Sequence, residues 1–300
     1  YTIVDRAESA SVMYHRATLA LSYVIGNYAS RVKEYYPDMD RKAEEELRLL
    51  SEIQVGMDND EFTFFIQPQC DITKGKIVGG ESLVRWIKPD KGMISPGVFI
   101  PVLEKNGFIT NLDKYIWEEV CHFQRGLIDR GIRPVPISIN VSRAHFYGSE
   151  LQHKLKSLIE KYHLDTKDIE LEITESICGD APDAIYELIR ELQDLGFKIA
   201  MDDFGSGYSS LNMLKEMHLD ILKMDLKFLE GDGEKSHLIL KSLIEMAQAM
   251  ELKVVVEGVE ELEQVEFLSQ FKGCILQGYY YSRPIKIEEF EEKLEESIKM

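Results

Sequence analysis

Residues 168–204 predict a strand–helix–strand unit, with the three runs DIELEITES (168–176), DAIYELIRELQDLG (183–196) and FKIAMDDF (197–204). The outer two runs are short strand candidates, whereas apolar residues in the middle run recur at helical spacing. Strands that alternate with helices in this order predict βαβ units and a parallel sheet.

The same alternation continues on both sides of this unit. The other strand candidates are FTFFIQPQC (62–70), KIVGGESLVRW (76–86), VPISINVS (135–142), DILKMDL (220–226), LKVVVEGV (252–259) and CILQGYYYS (274–282). The other helical runs cover 149–163, 235–251 and 261–271. Eight strands in this order predict an α/β fold, a TIM-like (β/α)8 barrel. The short turn DITKGK (71–76) joins the first two strands as a hairpin, so one strand should be antiparallel.

The first 56 residues have a different pattern. RAESASVMYHRATLALSYVIGNYA (6–29) and MDRKAEEELRLLSEIQVGM (39–57) are predicted to be helices. We expect a division into residues 1–56 and 57–300. The helices are either the end of a preceding domain with its linker or additional cover for the closed end of the barrel.

Composition limits the functions that are plausible. Asp and Glu outnumber Lys and Arg by 53 to 35, which argues against binding of nucleic acid polymers or anionic membranes. The four cysteines contain no CxxC pair, and the seven histidines form no cluster. No run is long enough to cross a bilayer and no signal peptide is visible, so we expect a cytoplasmic location. A longer parent protein could still be anchored in a membrane.

Polar residues occur near the end of nearly every predicted strand. In LEITES (171–176), Leu171 and Ile173 share one face, and Glu172 and Thr174 share the other. Polar side chains on the inner face of a barrel converge at the carboxyl ends of the strands. The candidates are Glu81, Asn140, Glu172, Asp202, Asp203, Lys223, Glu257 and Gln277.

These candidates are mainly oxygen donors, the ligands that hard divalent cations prefer. Asp203 can reach the same mouth as Asp202 only if the backbone turns, as Gly205 and Gly207 permit. Two adjacent carboxylates suit a pair of metal ions about 3.5–4 Å apart. Bound metals would allow an acidic protein to accept a phosphate substrate.

Each of these residues also has a structural interpretation. A single glutamate at a strand end is usually a solvated rim residue, and Lys223 could simply pair with Asp225. The joint pattern over seven strands favours a metal site.

Seven motifs resemble, in order, those of the EAL-domain cyclic-di-GMP phosphodiesterases. They are ESLVRW (81–86), SINVS (138–142), LEITES (171–176), DDFGSGYSSL (202–211), KMD (223–225), EGVE (257–260) and QGYYYSRP (277–284). The resemblance covers about residues 57–294. It implies a modified TIM barrel with one antiparallel strand that hydrolyses cyclic di-GMP to linear pGpG with Mg²⁺ or Mn²⁺. A catalytically silent cyclic-di-GMP receptor or dimerisation module is the alternative.

The resemblance also implies roles for individual residues. Metal ligands are matched by Glu81, Asn140, Glu172, Asp202 and Asp203, the last two linking two ions. Substrate-binding positions are matched by Gln67, Leu83, Arg85, Asp225 and Gln277, with Arg85 on the phosphate. Catalytic positions are matched by Lys223, which orients the attacking water, Glu257, which binds or deprotonates it, and Glu175, which braces the loop after Asp203.

The resemblance extends to assembly and to the N-terminal helices. The loop after Asp203 implies a homodimer, and the N-terminal helices resemble the C-terminal tail of a GGDEF domain and its linker, so the chain resembles a fragment of a larger signalling protein. Ser82 replaces the family's alanine and Glu261 its usual threonine. Neither position supplies a ligand, so we expect an active enzyme.

Overall fold

A computed structural model describes residues 9–24, 32–148, 150–178, 183–204, 214, 217–226 and 233–299. The chain divides into two compact units, Tyr1–Asn59 and Asp60–Met300. The first contains helices α1 (Ala10–Ser22) and α2 (Asp38–Asp58). His15 of α1 hydrogen-bonds Asp40 of α2 at 2.9 Å, which ties the two helices together.

The second unit is built on one closed sheet. Its strands are β1 (Phe62–Asp71), β2 (Ile77–Lys88), β3 (Gly92–Ile94), β4 (Ile137–Asn140), β5 (Ile169–Thr174), β6 (Lys198–Asp202), β7 (Ile221–Asp225), β8 (Lys253–Glu257) and β9 (Ile275–Leu276). The order is β1-β9-β8-β7-β6-β5-β4-β2-β3, and an additional β1–β2 pairing closes the barrel. Strand β1 is antiparallel to both neighbours, which confirms the predicted barrel with one antiparallel strand.

Helices and two short 3₁₀ turns (Arg143–Tyr147 and Thr166–Asp168) accompany the strands. The helices are α3 (Pro96–Asn106), α4 (Ile109–Asp129), α5 (Leu151–Tyr162), α6 (Glu175–Cys178), α7 (Asp183–Asp194), α8 (Gly233–Ala249), α9 (Leu262–Leu268) and α10 (Ile287–Lys299). Helices α3, α4 and α10 were not predicted from the sequence. Pro96 opens α3 and Gly107 ends it with φ of 73°, which only glycine adopts without strain.

Six of the eight predicted strands are shorter than expected, and the last is shortened the most. The run predicted over 274–282 is a strand only at Ile275–Leu276, because the chain then packs its backbone against another segment. A Cβ on Gly278 would lie 2.1 Å from the Val259 carbonyl oxygen, and the Tyr280 amide donates to that oxygen at 2.9 Å. Strand β5 ends at Thr174, and residue 175 begins α6.

An apolar layer fills part of the barrel and sets the level of the site. It consists of Ala200, Ile221, Val255 and Ile275, with the partly buried Val78 against them. Each of the first four lies two residues before a predicted site residue on the same chain segment, so both face the interior in an extended strand. The polar side chains therefore lie one layer nearer the carboxyl ends of the strands. Among the described residues, no helix is long and apolar enough to span a membrane.

Candidate active site

Lys223 lies at the centre of four carboxylates. Its Nζ is 2.8 Å from Glu257, 2.9 Å from Glu172, 3.1 Å from Glu81 and 3.4 Å from Asp202. The lysine side chain is 1% exposed. These acids come from four different strands, so the barrel brings together residues that are far apart in sequence. The arrangement concentrates negative charge around one buried ammonium.

Strand register explains how the site is assembled. Asn140 pairs with Glu172 across β4 and β5, and Asp225 with Glu257 across β7 and β8. In the antiparallel pair β1–β2, Gln67 faces Glu81. Directly paired residues point to the same side of a sheet. Register therefore places each of these pairs on the inner face.

Three glutamines extend the polar layer. Gln277 Nε2 donates to Glu81 Oε2 at 2.5 Å and to Gln67 Oε1 at 3.4 Å. Gln69 Nε2 donates to Gln277 Oε1 at 3.0 Å, and the Gln69 side chain is buried. Gln69 was missed from the sequence, although its position two residues after Gln67 on β1 is a signal for the same face. It fixes the orientation of the Gln277 amide.

The buried acids differ in their pKa values. Burial raises the pKa of Glu172 well above its ordinary value, and the Glu81 carboxylate raises it further. Burial also acts on Glu81, but the Lys223 ammonium and the hydrogen bond from Gln277 outweigh it and lower the pKa of Glu81. Burial raises the pKa of Glu257 to about 7 against the opposing effect of Lys223. Glu172 is therefore the acid whose ionisation most needs added positive charge.

The Lys223 ammonium remains charged. Burial alone would lower the pKa of Lys223, but the surrounding carboxylates, first Glu172 and then Glu81, raise it well above the ordinary value. A permanent cation is thus built into the acidic layer.

The donor set fits a hard divalent cation. Both carboxylate oxygens of Glu172 and Oδ1 of Asp202 are buried and accept no hydrogen bond within the described part of the chain, although both residues ion-pair with Lys223. Buried oxygens without donors are uncommon in proteins and call for a ligand. In the described ranges, no three His, Cys, Asp or Glu side chains are gathered in a ready-formed metal centre. The Lys223 ammonium lies between the acids instead.

A cavity of about 710 Å³ adjoins the acidic layer. Glu81, Leu83, Arg85, Asn140 and Glu172 all line it, so the structure brings five predicted site residues to one space.

The Arg85 guanidinium lies over the Phe65 ring at 5.3 Å and donates to the Val84 carbonyl oxygen at 2.9 Å. Burial lowers the pKa of Arg85 from its very high ordinary value, which leaves the group cationic. A cation held at the cavity wall is available to an anionic ligand.

The remaining predicted residues lie around this centre. Asp203 has a left-handed backbone with φ of 54°, so the chain turns at Asp203 itself. Glu175 is half-buried at the start of α6, and Asp225 is half-buried at the end of β7. The predictions about Gly205 and Gly207, and nearly all of the predicted dimer loop, lie outside the described residues.

The chain is similar to known proteins in sequence and in fold. Residues 50–284 match the EAL domain family, and the chain belongs to that family. It is 34% identical to signaling protein YkoW of Bacillus subtilis over 92% of this chain and 35% of YkoW. It is 32% identical to cyclic di-GMP phosphodiesterase RocR of Pseudomonas aeruginosa over 84% of this chain and 65% of RocR.

A solved phosphodiesterase structure has a similar fold. The MucR phosphodiesterase of Pseudomonas aeruginosa in complex with c-di-GMP superposes with a TM-score of 0.76 at 32% identity, over 81% of this chain and 99% of that one. The chain spans 37% of full-length MucR, a bifunctional diguanylate cyclase and cyclic di-GMP phosphodiesterase. It thus covers well under half of such relatives as YkoW and MucR.

Proposed function

We propose that this chain hydrolyses cyclic di-GMP to linear pGpG. The observation that carries the proposal is the acidic layer around Lys223, in which both carboxylate oxygens of Glu172 and Oδ1 of Asp202 accept no hydrogen bond from the described residues. Relatives named as cyclic di-GMP phosphodiesterases support the substrate.

The residues that would hold metal are Glu81, Asn140, Glu172, Asp202 and Asp203. Mg²⁺ or Mn²⁺, two per site, would lower the pKa of water and neutralise phosphate charge. The register pairing of Asn140 with Glu172 places an amide beside a carboxylate for this purpose. Among the residues that the structure describes, Lys223 is the only ion-pair partner of the four acids around it, so added cations would balance their remaining negative charge.

The chain's own side chains would act on water and phosphate. Glu257, held 2.8 Å from Lys223, takes a proton from the attacking water. The water oxygen bonds to phosphorus as the bond from phosphorus to the 3′ oxygen breaks; that oxygen takes up a proton from solvent and leaves as a hydroxyl, and Glu257 returns its proton to solvent. Lys223 stabilises the charge that develops, and Arg85 binds a phosphate oxygen. Gln67, Leu83, Asp225 and Gln277 would orient the nucleotide, and Glu175 would brace the loop after Asp203.

The test is turnover of cyclic di-GMP by the full chain with Mn²⁺ or Mg²⁺, followed by chromatography of the product. Appearance of pGpG that depends on the metal supports the proposal. Tight binding of cyclic di-GMP without pGpG under either metal would refute hydrolysis and identify a silent receptor.

The wider assembly is also a proposal. Residues 1–56 would be the tail of a GGDEF-like domain and its linker, and residues 57–300 the phosphodiesterase domain of a protein acting in the cytoplasm. The name of bifunctional MucR supports such a pairing of domains. Two copies would associate through the loop after Asp203, which sedimentation at several protein concentrations would test.

A further inference from the structure

We propose that Trp117, Asp113 and His145 are positioning residues that hold Asn140 in place as a metal ligand. The inference rests on the proposed function, which makes Asn140 a ligand. It concerns a network beside the cavity that none of the sequence motifs indicated.

Trp117 holds the main chain of Asn140. Its indole Nε1–H donates to the Asn140 carbonyl oxygen at 2.9 Å, and the side chain is 1% exposed. Asn140 is the last residue of β4, so this hydrogen bond fixes the backbone where the strand ends. Asn140 lines the same cavity as Glu81, a second proposed ligand. The indole thus fixes the backbone position from which the Asn140 side chain extends.

Asp113 holds the residues that follow Asn140. Its Oδ2 accepts from the Ser142 main-chain N–H at 3.2 Å and from His145 Nε2 at 3.1 Å. The His145 ring lies 4.6 Å from the Trp117 ring, and Asp113 and His145 are both buried. The segment from Asn140 to His145 is therefore bound to α4 at several points.

The two α4 residues act as one support because they are one turn apart on the same face of the helix. Outer partners that orient a metal ligand typically change metal affinity by about 10–100-fold when they are removed. We expect the same for Trp117, even though its indole supplies no ligand oxygen.

Gln124 provides a matched control on the same helix. It is fully buried, and its Nε2 donates to the main-chain oxygens of Val135 and Asp168, each at 2.8 Å. Those residues precede β4 and β5, at the opposite strand ends from Asn140. Removing the Gln124 side chain breaks the same kind of contact without touching the site.

The experiment measures Mn²⁺ affinity of the full chain by calorimetry, with the electron paramagnetic resonance of bound Mn²⁺ as a second readout and without nucleotide. Trp117→Phe keeps the aromatic ring and removes the N–H, and should weaken Mn²⁺ binding by about tenfold. Gln124→Leu should lower Tm comparably but leave Mn²⁺ affinity within about twofold of wild type. In an Asn140→Ala background, Trp117→Phe should have no further effect on affinity.

Wild-type Mn²⁺ affinity in Trp117→Phe, an equal loss in Gln124→Leu, or an undiminished Trp117→Phe effect in Asn140→Ala would each overturn the inference. If Trp117→Phe does not fold, Asp113→Asn is measured in the same way, and unchanged affinity there overturns it too. The expected binding differences without any pGpG formation would refute the proposed function and leave this inference standing. A wild-type chain that binds no Mn²⁺ overturns both.

Discussion

Glu170 and Glu172 lie two residues apart on β5 and are both buried, yet they have different partners. Glu170 Oε1 is 3.0 Å from Lys253 Nζ, and its Oε2 accepts from Ser138 Oγ at 3.4 Å. Glu172 faces Lys223, and neither of its oxygens accepts a hydrogen bond within the described residues. One strand thus carries a satisfied carboxylate and one with capacity for a cation.

Glu172→Gln should therefore abolish turnover with little effect on nucleotide affinity. The amide keeps the size but removes the charge that would hold metal, so pGpG formation should fall by at least about a hundredfold. Arg85, Gln67 and Gln277 remain, so calorimetric affinity for cyclic di-GMP should stay within about tenfold.

Glu170→Gln is the matched control, because it changes the same atoms on the same face of the strand. It should retain turnover within about tenfold of wild type. Equal losses of turnover in the two variants would mean that Glu172 acts only through the stability of β5.

Lys223→Met should destabilise the metal-free barrel. Removing one partner from a buried ionic cluster typically lowers the free energy of unfolding by about 3–5 kcal/mol. Lys241→Met is the control. Lys241 is exposed, and its Nζ lies 3.8 Å from Glu245 Oε1. Such a surface ion pair contributes about 0–1 kcal/mol to the free energy of unfolding. Urea unfolding in metal-free buffer measures both. A Lys223→Met variant as stable as the Lys241→Met variant would contradict the internal counter-charge that the structure shows.

Chelation should abolish turnover and leave the fold intact. Lys223 already neutralises part of the acidic layer, and the core beneath it is apolar, so we expect the barrel to fold without metal. Activity and circular dichroism, measured before and after EDTA, test this. Global unfolding on chelation would show that the metals are structural. Ca²⁺ should bind but support little turnover because its coordination is looser than that of Mg²⁺.

Alkaline pH should destabilise the chain through its buried thiols. Burial raises the pKa of Cys70 and Cys274 to about 11 and that of Cys121 to about 12. An unfolded thiol has a pKa of about 8.5, so above this pH the folded chain holds these protons more tightly than the unfolded chain does. The stability is fully present below about pH 8.5 and is lost as pH rises toward the folded pKa.

The free energy of unfolding, measured with urea from about pH 8.5 upward, should therefore decline less steeply with pH in Cys121→Ala than in wild type. Parallel declines in the two proteins would show that the Cys121 thiol does not contribute.

The barrel could be predicted because its signals are local. Alternating faces, as in LEITES (171–176), and a short hairpin turn before β2 are properties of neighbouring residues. The acidic layer could also be predicted, because a barrel brings the carboxyl ends of its strands together. In the structure Lys223 ion-pairs within this layer with Glu81, Glu172, Asp202 and Glu257.

What could not be predicted depends on contacts between distant segments. Nothing near Trp117 in sequence indicates that its indole meets the end of β4, and Gln124 reaches strand starts in the same way. The early end of β9 depends on Gly278 meeting Val259, which lies on another segment. Such contacts arise only once the barrel has closed.

The two-residue spacing between the apolar layer and the polar residues above it has a consequence for insertions and deletions. Deleting one residue inside β6, β7 or β8 turns the following polar side chain outward toward the helices, because strand faces alternate. Deleting two restores the facing but moves the side chain about 7 Å along the strand, away from its partners. Length variation among related chains should therefore be confined to the connections, while strand lengths stay constant even where the amino acids change.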